Sequence, residues 1–288
     1  MHWILDALGT AFFARALVGG ALVAIICGVV GTWVVIRGMA FLGEALGHGM
    51  LPGVAVATLA GAPPMLGGAV TAALMSALIG ALQRRGKLSY DTSIGLLFVA
   101  MLALGVIIVS HSGSFATDAT ALLFGDVLAI STADLLLLAV ATALTIAVAA
   151  AGHRAFVALA FDPRIAQALG HRVRLAGAAL TGLVTLAVVA SAQAVGTLLV
   201  VALLLGPAVA ATPWSRRIPD RMALAGVAGI AAVGLGLAVS WHAATAAGAT
   251  IAISAIALAG ASHLAHLITT RPRPSRAPLP ASPLESHA

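Results

Sequence analysis

The stretch 37–53 reads Arg37-Gly38-Met39-Ala40-Phe41-Leu42-Gly43-Glu44-Ala45-Leu46-Gly47-His48-Gly49-Met50-Leu51-Pro52-Gly53. Long apolar runs flank it, yet it carries an acid and an imidazole four residues apart. On a helix that spacing stacks Glu44 and His48 on one face. A helix entering a bilayer near Met39 would place Glu44 about 8 Å deep and His48 about 14 Å deep, at roughly 1.5 Å per residue. The hydrocarbon core is about 30 Å thick, so His48 falls near the midplane. An ionised side chain there costs on the order of 2.5–3.5 kcal/mol or more, so such a pair faces protein or a polar path rather than lipid. A carboxylate oxygen and a neutral imidazole nitrogen on one face can also ligate a divalent cation. The plainer alternative is a Glu44–His48 hydrogen bond that merely ties the pair inside a helix bundle.

Composition sets the class. Of 288 residues, 61% are hydrophobic and only 8% charged, and the mean hydropathy is +1.10. Globular chains carry about 25% charged residues, so this reads as an all-α, polytopic transmembrane helix bundle with no room for a soluble domain. Cys27 is the single cysteine, which excludes an internal disulfide and a cysteine-based zinc cluster. The net charge of +6 reads as loop topology rather than nucleic-acid binding. The N-terminus is no signal peptide, because Asp6 precedes an apolar run too long for an h-region and no basic n-region is present.

Apolar runs cover roughly 12–36, 40–60, 65–83, 92–110, 133–151, 175–192, 196–212, 222–240 and 247–268. The segments 84–87, 152–174, 214–221 and 271–276 are basic and should be cytoplasmic, whereas 111–132, 193–195 and 241–246 lack Lys and Arg and should face outward. This gives nine spans with the N-terminus outside and the C-terminus inside, Arg15 being the one basic residue on the wrong side. The alternative is eight spans with 40–60 re-entrant and the N-terminus inside. Gly61-Ala62-Pro63-Pro64, Gly206-Pro207 and Thr212-Pro213 should break or kink helices. The expected organisation is an extracytoplasmic N-terminus, 1–11, a membrane domain, 12–268, and a Pro/Ser/Arg-rich cytoplasmic tail, 269–288, predicted to be disordered.

The loop 161–170, Phe161-Asp162-Pro163-Arg164-Ile165-Ala166-Gln167-Ala168-Leu169-Gly170, predicts a short cytoplasmic helix. Asp162 suits the N-cap, Pro163 the first helical position and Gly170 the position past the end. Such a helix is either a connector lying on the membrane or a docking knob for a cytoplasmic partner. Asp91 stands at the cytoplasmic start of the fourth span, as an N-cap or as a residue of an inner gate. His111, His153, His242, His263 and His266 are expected at span edges, and Asp126 is expected to be solvated or capping. No phosphate loop is present: the glycines at 80 and 86 before Lys87 are misspaced, and the Ser/Thr that would hold magnesium is missing. No Ser/His/Asp or paired-carboxylate set suggests catalysis, so the chain reads as a non-enzyme. A transporter driven by ATP would need a separate ATPase.

The 37–53 stretch resembles the signature of the permease subunits of zinc/manganese/iron ABC importers: an Arg, then Met-Ala-Phe, Gly-Asp, Ser-His and Leu-Pro-Gly. Further segments are similar: Asp91-Thr92-Ser93-Ile94-Gly95-Leu96-Leu97-Phe98, Leu123-Phe124-Gly125-Asp126-Val127-Leu128, Phe161-Asp162-Pro163 with Ala166, Leu169 and Gly170, and 197–208. The resemblance spans about 12–268. It implies a homodimeric permease in a bacterial plasma membrane, two cytoplasmic ATPase subunits and an extracytoplasmic metal-binding protein. No cofactor is expected to be held permanently; the cargo is a divalent metal ion, with zinc expected first, then manganese or iron. The family's acidic position falls on Glu44, where Asp is usual, and its histidine on His48, with Gly47 in place of Ser. The family's ATPase coupling helix falls on Asp162, Pro163, Ile165, Ala166, Leu169 and Gly170. The alternative class is a proton- or sodium-coupled secondary metal transporter with Glu44 as its proton or ion site.

Overall fold

The structure, a computed structural model, describes residues 11–84, 89–110, 125–168, 170 and 172–270. Every regular element among them is helical: α1 (Ala11–Ile36), α2 (Ala40–Gly49), α3 (Leu51–Leu59), α4 (Pro64–Arg84), α5 (Tyr90–Ser110), a 3₁₀ turn (Val127–Ala129), α6 (Thr132–Phe161), α7 (Pro163–Ala168), α8 (Val173–Val195), α9 (Thr197–Ala211), α10 (Ile218–Ala243) and α11 (Ala247–Thr269). Eight helical stretches are long and apolar enough to cross a membrane, with α2 and α3 together forming one of them, Ala40–Leu59. The remaining run, α9, is apolar but has only 15 residues, or about 22 Å of helix. That is short of a hydrocarbon core of about 30 Å.

Inter-helix contacts orient the bundle. α1 runs antiparallel to α10, with Phe13 against Trp241 at one end and Gly28 against Gly226 further along. It runs parallel to α9, since Cys27 Sγ reaches the Val200 carbonyl and Gly31 abuts Leu204. A Cβ on Gly31 would sit 1.9 Å from the Leu204 carbonyl oxygen, so only glycine permits this crossing. α1 is also parallel to α6: Gly19 meets Ile130 just before α6, and Trp33 stacks edge-on to Phe156 near its end. The start of α1 and the α10–α11 turn therefore share one end. The close of α1, the α6–α8 connection and the close of α9 share the other. Arg37, Arg164, Arg172, Arg174, Arg216 and Arg217 belong to that second end, and Arg15 to the first.

The turn that launches α2 is built by sequence. Gly38 takes φ +65, Met39 N–H donates to the Val34 carbonyl and Gly38 N–H to the Val35 carbonyl. This is a Schellman closure of α1, which needs a residue tolerant of positive φ. The same closure ends α3, where Gly61 has φ +68 and Ala62 N–H donates to the Ala57 carbonyl.

Three sequence expectations need correction. The polar stretch after 151 is not a loop at first: α6 continues to Phe161, because no residue incompatible with a helix occurs before Asp162-Pro163. Gly206-Pro207 does not interrupt α9, which runs through Pro207. Asp91 does not cap α5. Ser89 does, its Oγ accepting from Thr92 N–H at 3.1 Å, while Asp91 lies in the first turn and is exposed. The start of α6 holds a capping box that the sequence reading missed, Ser131 with Asp134. The predicted tail beyond Thr270, residues 1–10, Leu169 and His111 lie outside the described residues.

Candidate metal site on α2

α2 presents different residue types on neighbouring faces. Gly43 and Gly47 lie against α9, near Leu204 and Thr197, and Gly49 lies against Met75 of α4. These small residues let the backbone sit deep in the bundle. The adjacent face carries Glu44 and His48, turned toward α5. His48 Nε2 is 3.2 Å from Glu44 Oε1, as the i, i+4 spacing requires. The imidazole stacks on Phe98 of α5 with centroids 5.6 Å apart and 29° between planes. Phe41 closes on the same ring edge-on at 5.4 Å.

His48 Nδ1 is buried and has no hydrogen-bond partner. In the neutral tautomer that donates Nε2–H to the Glu44 carboxylate, Nδ1 carries a free lone pair. A buried polar atom without a partner costs free energy in a folded chain, and an imidazole nitrogen is chemically able to ligate a divalent cation. A carboxylate oxygen such as Glu44 Oε2 has the same ability. Among the described residues no group of three or more His, Cys, Asp or Glu could hold a metal.

Departures from the family pattern acquire a structural meaning here. A Cβ on Gly47 would come within 3.2 Å of Thr197 Cβ, so a side chain at this position presses on α9.

The structure does not bring the other sequence candidates to this pair. Asp91 lies seven residues before Phe98, about 10 Å along α5, toward the arginine-rich end. Asp162 caps α7, its Oδ1 accepting from Arg164 N–H at 2.6 Å. Pro163 and Ile165 lie within α7, Ala166 is buried, and Gly170 has φ +79. Phe161, at the corner between α6 and α7, is 82% exposed. His153 is half-buried and packs edge-on to Trp33, one turn from Arg37. His242 bonds the Ala238 carbonyl, His266 packs edge-on to Trp214, and Asp126 accepts from Leu128 N–H. Phe98 is the site residue the sequence reading passed over. Its signal was its place in the 91–98 segment.

A separate half-open cavity of about 920 Å³ lies at the arginine-rich end, lined among others by Arg37, Gln83, Tyr90, Leu159 and Arg174. Two guanidinium groups at its wall make it a poor resting place for a divalent cation. Burial pulls the Arg37 guanidinium below its ordinary pKa, yet an arginine starts so high that it stays charged.

Eight helices long and apolar enough to cross a bilayer define a multi-pass membrane protein. The chain belongs to the ABC 3 transport family, whose model matches residues 10–265. It is 34% identical over 251 residues to the manganese transport system membrane protein MntC of Halalkalibacterium halodurans, covering 87% of this chain and 86% of that one. It is 30% identical to a probable iron transport system membrane protein of Haemophilus influenzae, over 83% of this chain and 88% of that one. Among solved structures, PsaBC from Streptococcus pneumoniae in complex with Fab superposes with a TM-score of 0.79 at 30% identity, covering 90% of this chain and 93% of that one. The chain is accordingly a transport subunit of a bacterial membrane, not a catalytic enzyme.

Proposed function

We propose that this chain is the membrane-spanning subunit of an ATP-driven importer for a divalent transition-metal ion. The observation that carries the reading is the Glu44–His48 pair on α2, with a buried Nδ1 lone pair that the protein leaves unused. The relatives' names support manganese and iron, and we place manganese first, ahead of the zinc that the sequence motif suggested.

The proposed assembly is two copies of this chain, two cytoplasmic ATPases bound at α7, and an extracytoplasmic protein that delivers the ion. The N-terminus lies outside and the arginine-rich end inside, in keeping with the positive-inside rule. Two Glu44/His48 faces across a central path supply carboxylate and imidazole ligands that neither copy completes alone. Their weakness is useful, since a closed four-ligand cage holds an ion rather than passing it. Asp91, nearer the inner end, is a candidate inner-gate residue that attracts the departing cation. ATP binding draws the ATPases together, shifts α7 and switches access between the two faces.

The test is uptake of labelled manganese into vesicles holding the full complex, with ATP inside or outside and iron or zinc as competitor. ATP-dependent uptake inhibited by a competing transition metal is expected. Uptake that ignores ATP and follows an imposed proton or sodium gradient would overturn the reading in favour of a secondary transporter.

A further inference from the structure

α6 ends against a proline, and this leaves a carbonyl without its partner. In a continuing helix the Leu159 carbonyl would accept from the N–H of residue 163, but residue 163 is proline and has none. Asp162 N–H donates to the Ala158 carbonyl, and Arg164 N–H is taken by the Asp162 side chain. Neither neighbour can supply the missing donor. Leu159 is 5% exposed and lines the half-open cavity beside Arg37. The donor comes from 122 residues away: Arg37 Nη1 bonds the Leu159 carbonyl oxygen at 3.3 Å.

Arg37 is the last residue before the Schellman turn into α2. Only Gly38 and Met39 separate it from that helix. Both are held by backbone bonds to α1, and Met39 is buried. Leu159 in turn is three residues before Asp162, the cap of α7. One side chain therefore joins the base of the helix bearing Glu44 and His48 to the base of the helix proposed to meet the ATPase. α1 and α6 close side by side, pinned by Trp33 edge-on to Phe156 at 5.6 Å. Their C-terminal partial negative charges both favour a cation at this point. A guanidinium also keeps further N–H donors free after bonding one carbonyl, so the junction holds while the helices shift.

We propose that Arg37 is a positioning residue that transmits movement of α7 to the metal-bearing helix α2 through the Leu159 carbonyl. It touches neither metal nor ATP. Its loss should uncouple the two ends of the transporter rather than disable either. This rests on the importer reading above, and allosteric coupling of this kind is worth about 5- to 150-fold.

The experiment uses the full complex with its ATPase in vesicles, and reads labelled manganese imported per ATP hydrolysed, together with the thermal midpoint. For Arg37→Gln, ATP hydrolysis should stay near wild type while manganese imported per ATP falls about fivefold or more. Arg37→Lys keeps a cation and N–H donors but loses the planar guanidinium fork, and should fall between the two. It decides the matter if Arg37→Gln does not assemble. An unchanged ratio overturns the proposal, whether both rates match wild type or fall together with a lowered thermal midpoint; the second outcome would make Arg37 a helix cap only. A wild-type complex that imports no manganese with ATP takes down the importer reading and this inference together. A wild-type complex that imports, with an Arg37→Gln ratio equal to its own, overturns the inference alone.

Discussion

Glu44 Oε1 and His48 Nε2 stand 3.2 Å apart one turn along α2, leaving the second imidazole nitrogen buried and unpartnered. Glu44→Gln and His48→Ala should each lower ATP-dependent manganese uptake by at least about 100-fold, since even outer-shell changes at metal sites cost about 10- to 100-fold. Membrane levels of the protein should hold. Uptake at wild-type rates in both variants would leave the pair a structural tie.

Phe98 holds the face of the His48 ring, with Phe41 edge-on behind it. Phe98→Ala should lower stability by about 1–3 kcal/mol, as expected for an aromatic that is only half-buried. The imidazole then gains rotational freedom, so half-maximal uptake should need more manganese. Phe98→Leu should keep most of the stability and little of the orientation. A melting and uptake series over the three proteins checks this, and the idea fails if Leu and Phe transport alike at low manganese.

Two glycines should respond oppositely to alanine. A Cβ on Gly53 would lie 2.0 Å from the Gly67 carbonyl oxygen, a backbone atom that cannot step aside. Gly53→Ala should therefore cost about 3 kcal/mol or more in thermal stability. Gly234 has nothing within 4 Å of the corresponding point, so Gly234→Ala should be neutral or stabilising by up to about 1 kcal/mol. Thermal unfolding in detergent compares them directly.

Phe161 offers an 82% exposed aromatic ring at the corner where α6 meets α7. Phe161→Ser should leave the thermal midpoint of the isolated permease unchanged and reduce the ATPase that co-purifies with it. Asp162→Ala removes the α7 cap, costs about 0.5–2 kcal/mol at that helix end, and should weaken co-purification less. Full retention of the ATPase by Phe161→Ser would move the docking surface elsewhere.

Local chemistry determined much of this protein from the sequence alone. The apolar runs became helices because transfer into a bilayer depends on the residues of each run, not on their neighbours in space. Asp162 through its side chain, and Gly170 and Gly61 through the backbone, act at helix ends by bonds a few residues long, and the i, i+4 rule brought Glu44 to His48. The same local rules misjudged Asp91, since Ser89 two residues earlier offered the better cap, and Pro207, which α9 absorbs. Tertiary structure alone decided that Phe98 covers His48, that Thr197 lies over Gly47, and that Arg37 serves a carbonyl left open 122 residues away. Those contacts arise where small residues let helices approach in a medium with no hydrophobic force between them. No spacing along the chain encodes which faces will meet.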